Sequence, residues 1–65
     1  MKEICVGDLV YYYPEPEEVE LYGKLKVFAI VIKAKNLLKL YDIVIQNDNR
    51  MLSDVNIYSL EKANL

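Results

Sequence analysis

Histidine is absent from this chain of 65 residues, and threonine and tryptophan are absent as well. Histidine is the side chain that most often acts as a general base near neutral pH, so its absence removes the usual centre of proton-transfer chemistry. Its absence also excludes zinc sites built from cysteine and histidine. The hydroxyl nucleophiles other than tyrosine are Ser53 and Ser59 alone. The composition therefore predicts a protein that is not an enzyme, with no catalytic residues, no metal, no cofactor and no small-molecule substrate.

Cysteine occurs once, at Cys5, so no disulfide can form within the chain. We expect Cys5 to be a small buried apolar side chain rather than a reactive thiol. A chain this short forms one domain, over residues 1–65, and has a thin stability margin. Without a disulfide or a metal, stability must come from the apolar content of 54% or from a partner chain. An oligomer, or a complex with a protein partner, is therefore a serious candidate.

Long apolar runs are also missing. The longest, over residues 27–32, has six residues, whereas a membrane helix needs about 20. The first residues show neither a long apolar core nor a small-residue cleavage site, as a secretory signal would. We expect no contact with a membrane and a protein that is cytoplasmic when it is synthesised.

The net charge is only −2, but the charged residues are unevenly distributed along the chain. Residues 1–23 carry a net charge of −5, residues 24–39 carry +5 with no acidic residue, and residues 40–65 carry −2. One interpretation is that the acidic and basic segments are neighbours that neutralise each other. The other is a bipolar surface that docks against a complementary partner or another copy of the chain.

What the chain does contain is a series of short apolar runs that predict strands. We predict strands over residues 9–13, 26–35, 40–46, 51–55 and 57–60, because valine, isoleucine and tyrosine favour extended, half-buried positions. The first follows a Gly7-Asp8 turn. The centre of the second is apolar on both faces, which is typical of a strand covered on both sides. The third alternates, with Tyr41, Ile43 and Ile45 on one face.

The connections between these strands are predicted from their turn residues. Pro14 and Pro16 end the first strand, so residues 14–18 are predicted as an exposed acidic loop, with a short strand possible over 19–22. Residues 36–39 and 47–50 are predicted as turns, and the second of these is predicted as a hairpin turn. It is not predicted as a calcium-binding loop, because the ligand spacing of such loops is missing. Residues 54–56 could form one tight helical turn. Five short strands with this spacing favour an all-β, closed, five-stranded barrel.

The pattern Val6-Gly7-Asp8-Leu9-Val10-Tyr11-Tyr12, followed by a valine-rich strand, Tyr41-Asp42-Ile43-Val44-Ile45, Val55 and Leu60, resembles SH3-like barrels. It is most similar to the small barrels with KOW-type or Tudor-like sequences, a layout shared by short proteins of tailed bacteriophages. The resemblance covers residues 6–60. It implies a module that binds protein tails, nucleic acid or neighbouring subunits, and it implies a virion component or an accessory protein that binds a phage or host protein.

Two surfaces are candidates for contact with a partner. Six tyrosines exceed the needs of a small core, and tyrosine is enriched at interfaces. The first candidate is a protein-contact surface formed by Tyr11, Tyr13, Glu15, Glu17, Glu18, Glu20 and Tyr22. The alternative is a nucleic-acid contact in which lysines bind the phosphate backbone and tyrosines stack on bases. Its residues are Lys24, Lys26, Lys33, Lys35 and Lys39.

Overall fold

The computed structural model of the protein describes residues 3–23 and 25–63, with the description of Leu21 and Tyr22 limited to the backbone. The elements are β1 (Leu9–Tyr12), α1 (Pro16–Tyr22), β2 (Val27–Lys35), β3 (Leu40–Ile45), β4 (Met51–Asn56), a 3-10 turn (Ile57–Ser59) and β5 (Leu60–Lys62). The strands form one antiparallel sheet in the order β4-β3-β2-β1-β5. The prediction of a small all-β, five-stranded protein is confirmed.

The tight connections are made by residues with left-handed backbone angles. Gly7, with φ of 92°, forms the turn that precedes β1, and Lys39 (φ 58°) and Asn49 (φ 57°) lie in the turns before β3 and β4. The predicted turns at 36–39 and 47–50 are confirmed. Asparagine and glycine accept these angles at low cost, whereas Lys39 adopts them with some strain.

The predicted loop over residues 14–18 is correct only for residues 14 and 15, and the short strand over 19–22 is wrong, because residues 16–22 form the helix α1. Pro16 occupies its first position, where the missing N–H costs nothing. The Glu18 carboxylate accepts a hydrogen bond from the Glu15 backbone N–H at 3.1 Å, which satisfies one donor at the helix start. Gly23, with φ of 67°, ends the helix in the left-handed conformation. The sequence contained these capping signals, but the prediction gave more weight to the strand-stopping effect of proline.

The predictions for the C-terminal part are shifted by a few residues. Residues 54–56, expected as a helical turn, belong to β4, and the 3-10 turn follows at Ile57–Ser59. The predicted strand over 57–60 begins only at Leu60. The Asn56 side chain accepts a hydrogen bond from the Tyr58 N–H at 2.9 Å, which caps the 3-10 turn and sets where it begins.

The sheet is strongly curved, and its concave face encloses the core. Register shifts between Val31 and Lys33 and between Tyr41 and Ile43 interrupt the ladders on both sides of β3. Such bulges bend a strand and increase its twist. Side chains from all five strands therefore reach one apolar cluster, made up of Ile4, Val10, Tyr12, Val27, Ala29, Val31, Tyr41, Ile43, Ile45, Val55 and Leu60.

The sheet is not closed into a barrel, so that part of the fold prediction is corrected. In the described part of the chain no ladder joins β4 to β5. The 3-10 turn crosses between these edges and binds other elements: the Ile57 N–H donates to the Lys39 carbonyl at 3.1 Å, and the Tyr13 N–H donates to the Ser59 carbonyl at 2.9 Å. The turn therefore occupies the place where a closing ladder would form.

Two burial expectations are also wrong. The convex face of β2 is not covered within the described residues, because Phe28 and Ile32 are exposed there. Cys5 is exposed rather than buried. Its backbone N–H donates to the Asp8 carboxylate at 2.8 Å in the turn before β1, and this turn holds its side chain outside the core.

Candidate protein-contact surface

The three consecutive tyrosines point alternately to the two faces of the sheet, as expected for a strand. Tyr12 is buried in the core, whereas Tyr11 is half-buried and Tyr13 exposed on the convex side. The Tyr12 hydroxyl donates to Oε1 of Glu18 at 2.7 Å, so it links the core to α1. Tyr11 and Tyr13 are left available to a partner.

Tyr13 forms one wall of an open apolar cleft between α1 and the start of β2. The cleft has a volume of about 610 Å³ and is lined by Tyr13, Pro14, Pro16, Val19 and Leu25. Every lining side chain is apolar or aromatic, and Leu25 is 77% exposed. An exposed apolar surface bordered by polar residues is a typical contact site for apolar side chains of a partner.

Of these five lining residues, only Tyr13 was predicted from the sequence as part of a protein-contact surface. Pro14 and Pro16 were interpreted as strand breakers, and Val19 was assigned to a short strand. Only the helix brings Pro16 and Val19, three positions apart, onto one side. The sequence signal that could have identified the cleft is the combination of the capping residues with Leu25, an apolar residue between two lysines.

The four glutamates of the predicted surface have two different roles. Glu18 is half-buried, and its carboxylate accepts from both Tyr12 and the Glu15 backbone. Glu15, Glu17 and Glu20 are exposed, and in the part of the chain that the structure describes none of them forms an ion pair. Glu20 follows Val19 and lies one helical turn after Pro16, so it borders the cleft. The side chain of Tyr22, also predicted for this surface, lies outside the described residues.

Tyr13 is held in place by the neighbouring strand. Its hydroxyl donates to Oε1 of Glu61 on β5 at 2.6 Å. This hydrogen bond raises the pKa of Tyr13 above its ordinary value of 10.0, because ionising the phenol beside a carboxylate would bring two negative charges together. The cleft wall therefore stays neutral and keeps its orientation at physiological pH.

The predicted lysine surface is not one cluster. Lys26 lies just before β2, and Lys35 lies at the other end of that strand, which is nine residues long. Lys35 forms an ion pair with Asp54, which raises the pKa of the lysine. Lys33 faces Asp42 across β2 and β3. Lys39 is exposed in the turn before β3, and Lys24 lies outside the described residues.

Lys26 takes part in an aromatic group on the convex face. Its ammonium lies 4.2 Å from the ring centroid of Tyr11, a cation–π contact. The rings of Tyr11 and Phe28 are stacked, with centroids 4.7 Å apart and planes inclined by 30°. Together with Val27, Gln46 and Asn47 they line a shallow cavity of about 300 Å³. Among the described residues, this is the one place where a predicted lysine meets a predicted tyrosine.

Over residues 3–23 and 25–63 no group of three or more histidine, cysteine or acidic residues could hold a metal ion. No helix in that part of the chain is long and apolar enough to cross a membrane. No protein-family model, no curated protein and no solved structure matches the chain.

Proposed function

We propose that this protein is a non-enzymatic protein–protein interaction module whose cleft binds an apolar segment flanked by lysine or arginine. The observation that carries the proposal is the apolar cleft of Tyr13, Pro14, Pro16, Val19 and Leu25 beside exposed glutamates that form no ion pair within residues 3–23 and 25–63. Apolar side chains entering the cleft would supply the affinity. The acidic border would select basic flanks and repel acidic ones.

We also propose that the module is SH3-like and related to small proteins of tailed bacteriophages. The strand order β4-β3-β2-β1-β5 with a 3-10 turn before the last strand supports an SH3-like relationship, even though the sheet is open. The likeness of residues 6–60 to small barrels of tailed bacteriophages supports a virion component or an accessory protein that binds a phage or host protein. In either role the cleft would be the contact site.

The binding proposal can be tested with three synthetic peptides that differ in one property each. The probes are Lys-Leu-Leu-Lys, Glu-Leu-Leu-Glu and Lys-Ser-Ser-Lys, each within the same neutral flanks. We expect the first alone to shift the amide resonances of Tyr13, Val19 and Leu25 in a saturable way. Equal shifts from all three peptides, or shifts located elsewhere, would contradict the proposed site.

Two variants separate the apolar and the charge contributions to the affinity of the cleft for the first peptide. Leu25→Asp places a charge in the cleft and should abolish binding of the first peptide. Glu20→Gln keeps the shape and should weaken binding by a few-fold, because an exposed ion pair contributes about 0.2–1 kcal/mol. Tyr58→Ser is the matched control, since Tyr58 is 92% exposed in the 3-10 turn and does not line the cleft.

A second candidate function rests on the aromatic group of the convex face. The Tyr11–Phe28 stack with Lys26 above Tyr11 offers a ring surface and a cation, which are the elements of single-strand nucleic-acid binding. Single-stranded oligothymidine is the probe. Binding that weakens steeply with salt and is lost in Phe28→Ser would favour this function. Absence of oligothymidine binding at low salt would exclude nucleic-acid binding.

A further inference from the structure

The turn between β2 and β3 carries the two leucines of a protruding apolar tip. Leu37 is 99% exposed and Leu38 is 67% exposed. Leu38 and Lys39 donate backbone hydrogen bonds to the carbonyls of Lys35 and Asn36, at 3.0 and 3.2 Å, so the tip is an ordered turn. Two adjacent exposed leucines on an ordered turn are unfavourable in water and need an explanation.

The tip is also basic. Lys39 directly follows Leu38 and Lys33 lies on the strand that leads to the tip; both are exposed, and neither forms an ion pair within the described residues. Lys35 is different, because its charge is compensated by Asp54. The tip therefore presents two apolar side chains beside the exposed charge of Lys39, which is the composition that the cleft is proposed to select.

The tip does not fill the cleft of its own chain. Leu37 is 99% exposed, and no residue of the tip lines the cleft. The 3-10 turn separates the two: the Ile57 N–H donates to the Lys39 carbonyl beside the tip, and the Ser59 carbonyl accepts from the Tyr13 N–H beside the cleft. Within one molecule the tip and the cleft are therefore neighbouring but separate surfaces, and each is open to a second molecule.

We propose that the occupant of the cleft is the Leu37–Leu38 tip of a second copy of this chain. This inference rests on the proposed function, because it uses the same cleft and names its partner. The apolar tip matches the apolar cleft, and the exposed lysines of one match the exposed glutamates beside the other. In this arrangement the −5 segment of one molecule meets the +5 segment of another. Such a contact closes as an antiparallel pair or continues head to tail.

The contact uses different surfaces on the two molecules, which allows a complementation experiment. Leu37→Asp destroys the tip and leaves the cleft intact, whereas Leu25→Asp destroys the cleft and leaves the tip intact. Both side chains are largely exposed, so both variants should fold, and circular dichroism checks this. Tyr58→Ser again serves as the control for loss of an exposed apolar side chain.

Sedimentation equilibrium over micromolar to millimolar concentrations gives the readout. We expect the unmodified chain and Tyr58→Ser to exceed 7.6 kDa in whole multiples, and each aspartate variant alone to stay at 7.6 kDa. An equimolar mixture of the two variants should recover twice that mass, because one intact tip meets one intact cleft. Added salt should weaken the assembly.

Two results would overturn the inference. One is an unmodified chain that stays at 7.6 kDa throughout, and the other is an assembly that persists in Leu37→Asp. The peptide titration keeps the two proposals apart. A monomeric chain that still binds Lys-Leu-Leu-Lys in its cleft overturns self-association alone, whereas a cleft that binds no peptide overturns the proposed function.

Discussion

The hydroxyl of Tyr12, a core residue of β1, donates a hydrogen bond of 2.7 Å to Oε1 of Glu18 in α1. The same carboxylate oxygen accepts from the Glu15 N–H at the start of the helix. One atom therefore caps the helix and attaches it to the sheet. Because Pro16 and Val19 of the helix line the cleft, this attachment determines the shape of the proposed binding site.

Removal of the Tyr12 hydroxyl should therefore destabilise the protein. We expect Tyr12→Phe to lower the free energy of unfolding by about 1–2 kcal/mol, because a bond to a carboxylate is lost while the ring remains buried. Urea denaturation measures the change. Tyr11→Phe is the matched control and should have little effect, and equal stability of Tyr12→Phe and the unmodified chain would contradict the role given to this bond.

Asp8 should make stability sensitive to acid. Its carboxylate accepts from the Cys5 N–H at 2.8 Å and lies 3.4 Å from Nζ of Lys62, and the first of these contacts is the main reason why the pKa of Asp8 lies below its ordinary value of 3.8. A lowered pKa in the folded state stabilises the protein above pH 3.8, and this contribution is lost as the pH falls through the lowered pKa.

Asp8→Asn should accordingly be less stable than the unmodified chain at neutral pH, and the difference should shrink on acidification. Thermal unfolding followed from pH 7 down to pH 2 tests this. Lys62→Met retains the bond from Cys5 and should keep most of the pH dependence. A difference between Asp8→Asn and the unmodified chain that is constant with pH would count against the argument.

Tyr13 should titrate later than an ordinary tyrosine. The Glu61 carboxylate raises the pKa of Tyr13 above 10.0, so the bond stabilises the folded state at lower pH and is lost as the pH rises through the raised pKa. We expect Glu61→Gln to return the pKa of Tyr13 towards 10.0. Carbon-13 resonances of labelled tyrosine rings report the value, and an unchanged Tyr13 titration in Glu61→Gln would be inconsistent with the observed contact.

The core should respond strongly to the loss of volume at Ile43. This side chain is fully buried at the centre of β3, so Ile43→Ala should cost about 2–5 kcal/mol in the free energy of unfolding. Ile32→Ala, on the exposed convex side of β2, is the matched control and should cost far less. Comparable losses in the two variants would mean that the convex face is covered in solution, as in an assembly.

The errors in the prediction from sequence have physical causes that are visible in particular residues. Strand patterns were correct where the alternation was strong, as at Tyr41, Ile43 and Ile45, because period-two burial is a local property. The segment 16–22 was misassigned, because proline stops a strand and starts a helix equally well, and the helix signals of Glu15, Glu18 and Gly23 were given too little weight. Cys5 was misplaced because its exposure depends on a backbone bond to Asp8.

The sequence by itself determined the first four strands, the turns at Gly7, 36–39 and 47–50, the absence of histidine and the division of charge into acidic and basic segments. These follow from local backbone preferences and composition. The tertiary structure alone decided that the sheet curves without closing, that α1 packs beside Tyr13 to form the cleft, and that the 3-10 turn separates the Leu37–Leu38 tip from it. Those features depend on tertiary contacts between residues that are far apart in the sequence, and such contacts cannot be deduced from a local sequence pattern.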